Sequence, residues 1–251
     1  MCTLFWTLAP LLGAGELSVI PGEEKEMAEK DRIRVLVVTG GHDFEREPFF
    51  TLFQGYPDLT YQAVEQPQAA DFFKPDAAAQ YDVIVLYDMW QDLTDEAKAH
   101  FVALLQQGKG LVALHHSLGS YQGWEEYTQI LGGRYHLQPY VKDGQEKPAS
   151  TFQHGVRFTV HIADPDHPVT RGLTHFEIVD ETYGLFEVLP QVKPLLTTEE
   201  PTSGPIIGWA HTYGRSRVVY LQLGHDHTAY EHPAYRRLVV QAIRWTARRA
   251  E

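Results

Sequence analysis

The chain has 251 residues, 43% of them hydrophobic, which is enough for one large α/β core or two small ones. Its formal net charge of -12, from 33 acidic against 21 basic side chains, argues against nucleic acid or an anionic membrane surface as partner, since both call for clustered Lys and Arg. The only cysteine, Cys2, excludes a disulfide framework, a thiolate zinc site and a cysteine nucleophile within the body of the chain.

Residues 1–31 read as an N-terminal extension. Thr3 to Ala14 is apolar enough for a signal core, but no Lys or Arg precedes it. The charged run Gly22-Glu23-Glu24-Lys25-Glu26 stands just before Met27. We read Met27 as the start and the protein as cytoplasmic; a cleaved export signal is the rival reading. No apolar stretch reaches the roughly 20 residues of a membrane-spanning helix.

Residues 32–251 read as a single domain. Residues 32–39 form a first buried strand, and Gly40-Gly41 permits a tight turn after it. Glu45 to Gln54 is a predicted helix. Leu59 to Val64 and Asp82 to Leu86 are further strands. Thr94 caps a helix that Gly108 ends. Gly110 to Leu114 is an apolar strand that stops in His115-His116, and Trp124 to Leu131 is a helix closed by Gly132-Gly133. Residues 134–200 are expected to be a loop-rich insertion. Val156 to Ile162, Pro205 to His211 and Arg217 to Leu223 are later strands, and Pro233 to Arg248 is an amphipathic terminal helix. This order predicts a mostly parallel, doubly wound sheet with helices on both faces.

Three apolar strands are each followed by histidine: His42, His115 and His225. In open α/β sheets, ligands bind outside the carboxyl ends of the strands. The pattern therefore predicts one convergent polar site.

Six stretches occur in order between Arg34 and Ala247. They are Thr39 to Phe44, Ala113 to Ser117, Leu131 to His136, Asp180 to Tyr183, Trp209 to Gly214 and Leu223 to Asp226. Together they resemble the ThuA-like family, named for trehalose utilisation. The resemblance implies the flavodoxin-like three-layer α/β/α sandwich of class I glutamine amidotransferases, with a mostly parallel central sheet. In those enzymes the nucleophilic Cys stands on the turn after a central strand, where the resemblance places His115. Their catalytic His falls near His225. Without that Cys, glutamine hydrolysis through a thioester is not expected. The resemblance implies carbohydrate chemistry on a sugar or keto-sugar derivative.

The candidate catalytic residues are His115, His116, His225 and Glu181. For the two adjacent histidines, the bland alternative is an imidazole hydrogen-bonded in the core. For Glu181 it is a solvated loop carboxylate. His42, Asp43, Arg134, Tyr135, His136, Tyr183 and Trp124 are candidate substrate contacts. Asp43 reads equally as a helix cap, and Arg134 as a surface ion-pair partner. His227 shares a face with His225 in an extended segment but reads as surface. His115, His225 and Glu181 also form a candidate metal set. A His-rich, thiolate-free site suits zinc, manganese, nickel or iron(II). No His-Glu-x-x-His helix and no G-x-G-x-x-G fingerprint is present, so neither a zincin protease nor NAD or nucleotide binding is expected. The expected partner is a small sugar; homo-oligomerisation is open. The alternative to an enzyme is a non-catalytic sugar-binding or regulatory module.

Overall fold

Runs of consecutive apolar residues, rather than alternating ones, mark strands buried on both faces. The computed structural model describes residues 31–250, so the readings of the export signal and of Met27 lie outside the described residues. The first half alternates strand and helix: β1 (Ile33–Gly40), α1 (Arg46–Phe50), β2 (Leu59–Glu65), α2 (Pro75–Ala78), β3 (Val83–Asp88), α3 (Asp95–Gln107), β4 (Gly110–Leu114) and α4 (Glu125–Leu131). Seven strands follow: β5 (Gly133–Arg134), β6 (Tyr140–Lys142), β7 (Gln145–Lys147), β8 (Thr151–Ile162), β9 (Phe176–Gly184), β10 (Glu187–Val188) and β11 (Lys193–Thr197). Strands β12 (Ile206–Tyr213) and β13 (Ser216–Leu221) and helices α5 (His227–Tyr230) and α6 (Pro233–Thr246) complete the chain.

Nine strands make one sheet, in the order β2-β1-β3-β4-β13-β12-β11-β8-β9. The first five are mutually parallel, and every pairing from β13 to β9 is antiparallel. The sheet is therefore mixed, which corrects the expectation of a mostly parallel one. The segment 134–200, expected to be loop-rich, supplies β8, β9 and β11 to the antiparallel half. Val156 to Ile162 of β8 is the strand the sequence predicted; Thr151 to Gly155 are exposed, and Asp180, Glu181 and Thr182 interrupt the apolar run of β9, so the rest went unannounced.

The parallel strands bury both faces. Val35, Val37, Val83, Val85, Val112 and Val219 point into one core, with Leu238, Val239 and Ile243 of α6. Leu36, Val38, Ile84, Leu86, Leu111 and Val218 point into the other, with Phe101, Leu104 and Leu105 of α3. This alternation follows the two-residue period of a strand. Fully burying each Leu or Ile stabilises by about 1.5–3 kcal/mol. Helix α3 starts as predicted, with the Thr94 hydroxyl accepting from the Ala97 N–H at 3.2 Å. It ends at Gly108, whose φ is +100°. Pro233 opens α6, where its missing N–H costs nothing.

Because β1, β3, β4 and β13 run the same way, their carboxyl ends share one rim. Strand β11 pairs only with His161 and Ile162 at the end of β8. The rest of the β8–β9 ribbon is released from the sheet. Four strand steps separate β13 from β9, roughly 19 Å in a flat sheet. Yet the Asp180 carboxylate of β9 accepts the N–H groups of Gly224 and His225, at 2.7 and 3.0 Å. The ribbon therefore leans back over the rim and roofs it.

Candidate active site

Strand β4 ends in a one-turn 3-10 helix, His115–Gly119, which His115 enters at φ +51°. A left-handed conformation is costly for a residue with a side chain, and such outliers gather at functional sites. The turn separates the two imidazoles. The His115 ring is fully buried, its Nδ1 2.6 Å from the Gln222 carbonyl oxygen and its Nε2 2.9 Å from the Tyr183 hydroxyl. The His116 ring turns the other way, its Nδ1 3.3 Å from the Asp88 carbonyl oxygen.

The predicted convergence holds, and extends further than the sequence implied. Five imidazoles stand in a row: His42, His116, His115, His225 and His154. Successive ring centres are 4.5, 5.4, 5.4 and 4.5 Å apart. Glu181 lies beside the last three. Its Oε2 is 2.9 Å from His115 Nε2 and 3.3 Å from His225 Nδ1, and its Oε1 is 3.2 Å from His154 Nδ1. His115 Nε2 and His225 Nδ1 are 3.3 Å apart.

A carbonyl oxygen only accepts, so His115 Nδ1 carries a hydrogen and donates it to Gln222. In the neutral ring this leaves Nε2 as a lone pair aimed at a carboxylate oxygen. Two acceptors at 2.9 Å repel unless a proton or a cation lies between them. Burial pushes Glu181 up, but the hydrogen bonds with His115 and His225 outweigh it and hold the carboxyl well below the usual range. The same bond raises His225. Burial holds His116 far below the usual imidazole range, with the neighbouring His115 and His42 adding to the effect. A neutral His116 donates from Nδ1, so its Nε2 is an acceptor, and that atom is buried with no protein partner.

Around these groups lies a cleft of about 170 Å³. His42, His116, His154 and Glu181 supply its polar wall, and Met89, Tyr135, Leu137, Phe152 and Tyr183 its apolar one. Sites for drug-sized ligands run to about 300–1,000 Å³, so this cleft suits one small unit. Gly41, next to the lining residue His42, has φ +80° and no room for a side chain: an added Cβ would lie 2.6 Å from the carbonyl oxygen of Met89, which also lines the cleft.

Not every predicted contact reaches the cleft. Arg134 is buried and its guanidinium holds the carbonyls of Tyr121, Gln122 and Trp124. It also pairs with the exposed Glu125 at 3.2 Å, the ion-pair reading of this residue, and it does not line this cleft. Trp124 packs in the core against Phe101 and Tyr127. His136 stacks on Tyr140 at 3.5 Å and pairs with Glu187, in a neighbouring hollow. Asp43 is exposed outside the cleft and does not cap α1; Glu45 holds that position. His227 is on the surface, as read, where it pairs with Glu45. Tyr135 and Tyr183 do line the cleft, and Tyr183 also stacks on the His115 ring.

His154 escaped the sequence reading. Its signal was local: a His followed by Gly inside a strand marks a bulge. Asp180 was read only as part of a motif. Its carboxylate takes three backbone N–H groups, those of Glu181, Gly224 and His225, and so ties β9 to the loop after β13. Burial is the main influence on its pKa and raises it.

The ThuA family profile, described as trehalose utilisation, matches residues 34–246. The chain belongs to the ThuA family. Solved structures agree on the fold. A ThuA-like protein from Parabacteroides merdae is 21% identical with a TM-score of 0.71, over 86% of this chain and 90% of its own. One from Bacteroides uniformis is 19% identical with a TM-score of 0.65, over 90% and 95%. A cytoplasmic protein from Salmonella typhimurium is 13% identical with a TM-score of 0.57, over 87% and 100%. At these identities the likeness concerns the fold alone. No match was found among curated proteins. The family places the chain in a carbohydrate-related role. Among the described residues, no helix is long and apolar enough to cross a membrane.

Proposed function

We propose that this ThuA-family protein is a cytoplasmic enzyme that moves protons on a small sugar or keto-sugar derivative. The five parallel strands serve it as an amidotransferase-like, flavodoxin-type scaffold, with histidine where the Cys nucleophile stood. One observation carries the reading: an anionic Glu181, buried among three imidazoles, faces a small cleft that also holds an unpartnered imidazole acceptor. A carboxylate and imidazoles at hydrogen-bonding distance are the equipment of general acid–base catalysis. His225, raised by its hydrogen bond to Glu181, exchanges the proton with the substrate, and the anionic carboxylate stabilises the protonated imidazole. His116 Nε2 accepts a substrate hydroxyl and orients it. Tyr135 and Phe152 offer ring faces to the apolar side of a sugar.

The residues also fit a divalent transition metal. His115, Glu181 and His225 present one donor atom each, all within 4.8 Å of one another. The Gln222 carbonyl fixes the tautomer that leaves His115 Nε2 free to ligate, a hydrogen bond typical of ligand histidines. A bound ion would polarise a substrate carbonyl.

The test is a product search with disaccharides, glycosides and keto-sugars, followed by Glu181→Gln and His115→Ala on whichever substrate turns over. Loss of one acid–base group is expected to cost about 10²–10⁴ in rate. Wild-type rates in both variants would overturn the assignment. Calorimetric sugar binding without any product would instead establish a binding module.

A further inference from the structure

His116 Nε2 is buried without a protein partner, in a ring that is otherwise tightly packed. The residue is 5% exposed, and the ring centres of Tyr87 and His42 lie 4.3 and 4.5 Å from its own. A buried acceptor left unpaired is costly, and each such group in a folded protein needs an explanation. A phenylalanine would fill the same space without that cost. The nitrogen therefore requires a donor from outside the chain.

A second acceptor stands beside it. His42 follows β1, and β3 lies between β1 and β4 in the sheet. Two strand steps span roughly 10 Å. The His42 and His116 rings are nonetheless 4.5 Å apart, because the turn at Gly40 and Gly41, with φ +120° and +80°, leads the chain over the end of β3. His42 Nδ1 lies 2.7 Å from the Asp43 carbonyl oxygen, and His116 Nδ1 lies 3.3 Å from that of Asp88. Each Nδ1 therefore carries the hydrogen, and each neutral ring keeps its lone pair on Nε2. Both residues line the cleft. The two tyrosine hydroxyls of its wall are turned to the Ser150 carbonyl and to His115. What this wall offers a ligand is acceptor in character.

We propose that His42 and His116 are the specificity-determining pair of this cleft: their Nε2 atoms accept hydrogen bonds from two neighbouring free hydroxyls of the substrate. The proposal rests on the sugar reading above and names which units qualify. A vicinal diol supplies two adjacent O–H donors. An ether or carbonyl oxygen at either place brings only lone pairs, which would face those of the imidazoles. A site built to bond a hydroxyl rejects the analogue lacking it far more strongly than an apolar pocket rejects a missing methylene. The pair also fixes orientation. The rings run His42, His116, His115, His225, so a diol held by the first two turns the reacting carbon toward Glu181 and His225. A keto-sugar enters with its carbonyl at the Glu181 end and its intact diol at the His42 end.

The experiment uses the full chain with the methyl glycosides of glucose, galactose and mannose. Calorimetry identifies which of them binds, and its single-deoxy derivatives follow. Two derivatives deoxygenated at neighbouring carbons should each bind about tenfold more weakly, the weight of one hydrogen bond. His42→Phe, at an exposed position, should fold as the wild type does and abolish one of these two penalties. Equal penalties in His42→Phe and the wild type overturn the pair while leaving sugar binding intact. Nitrogen NMR spectra of histidine-labelled protein read the acceptors directly, with His116→Phe assigning the buried ring. His116 Nε2 should be unprotonated and should shift when the glycoside saturates the cleft. A proton on that atom in the free protein, or no shift at saturation, also overturns the pair. Failure of the wild type to bind any of the three glycosides overturns the sugar reading itself.

Discussion

Asp180 offers the sharpest test of how the roof is fastened to the rim. Its carboxylate accepts N–H groups from Glu181 at 2.8 Å, Gly224 at 2.7 Å and His225 at 3.0 Å, and it is 3% exposed. Asp180→Ala leaves all three donors without an acceptor. An unsatisfied buried donor costs about 1–3 kcal/mol. Three would cost roughly 3–9 kcal/mol, but removing a buried charge and admitting water to the partly exposed His225 segment return some of this. We expect a net loss of about 3–5 kcal/mol, a large share of a typical 5–15 kcal/mol total. Asp180→Asn separates acceptor count from volume. Its carbonyl oxygen can keep Glu181 and His225, which share Oδ1, while its NH₂ must face the Gly224 N–H. That variant should lose about 1–3 kcal/mol. Urea unfolding of the two variants and the wild type gives the comparison, with an unchanged slope confirming comparable unfolding. A loss below about 1 kcal/mol for Asp180→Ala would refute the fastening argument.

Two further outcomes follow from the same geometry. Asp88 is fully buried beneath the site, and burial raises its pKa to about 7, despite a hydrogen bond from the Tyr121 hydroxyl at 2.6 Å. A raised carboxyl favours the folded state at low pH, so its contribution falls as pH rises from about 4, the unfolded value, to about 7. The stability of Asp88→Asn should lack this slope, differing from the wild type by about 1.4 kcal/mol per pH unit over that window; parallel slopes would count against a buried, protonated Asp88. Gly41→Ala must hold a side chain at φ +80° with its Cβ against the Met89 carbonyl. It should lose roughly 1–3 kcal/mol in the same urea assay, and a change within about 0.5 kcal/mol would show that the rim relaxes freely.

The parallel half of the fold was legible because its strands are apolar on both faces. Val35 to Val38 and Leu111 to Leu114 admit no surface position, so their runs are unbroken. The antiparallel half was legible only in part: Val156 to Ile162 and Pro205 to His211 read as strands and are, while β9 and β11 went unread. Residues Thr151 to Gly155 are all exposed, and a polar, partly exposed ribbon reads as loop. The convergence of His42, His115 and His225 was predictable because parallel strands put all their carboxyl ends on one side. Glu181 and His154 could not be placed that way. They come from an antiparallel ribbon whose lean over the rim depends on Asp180, more than 40 residues from its partners. Arg134 and Asp43 show the reverse error. Their residue types suit ligand binding, but the chain uses one for loop carbonyls and the ion pair with Glu125, the alternative its type also allowed, and leaves the other outside the cleft.

Since the histidine–glutamate cluster draws on residues 115, 154, 181 and 225, no short stretch of chain contains it. Contacts between such distant segments form late, after the entropy of closing long loops has been met. A ribosome-bound chain lacking its last quarter has no His225 and no docking partner for Asp180. The cluster therefore comes together only once nearly the whole chain has been made.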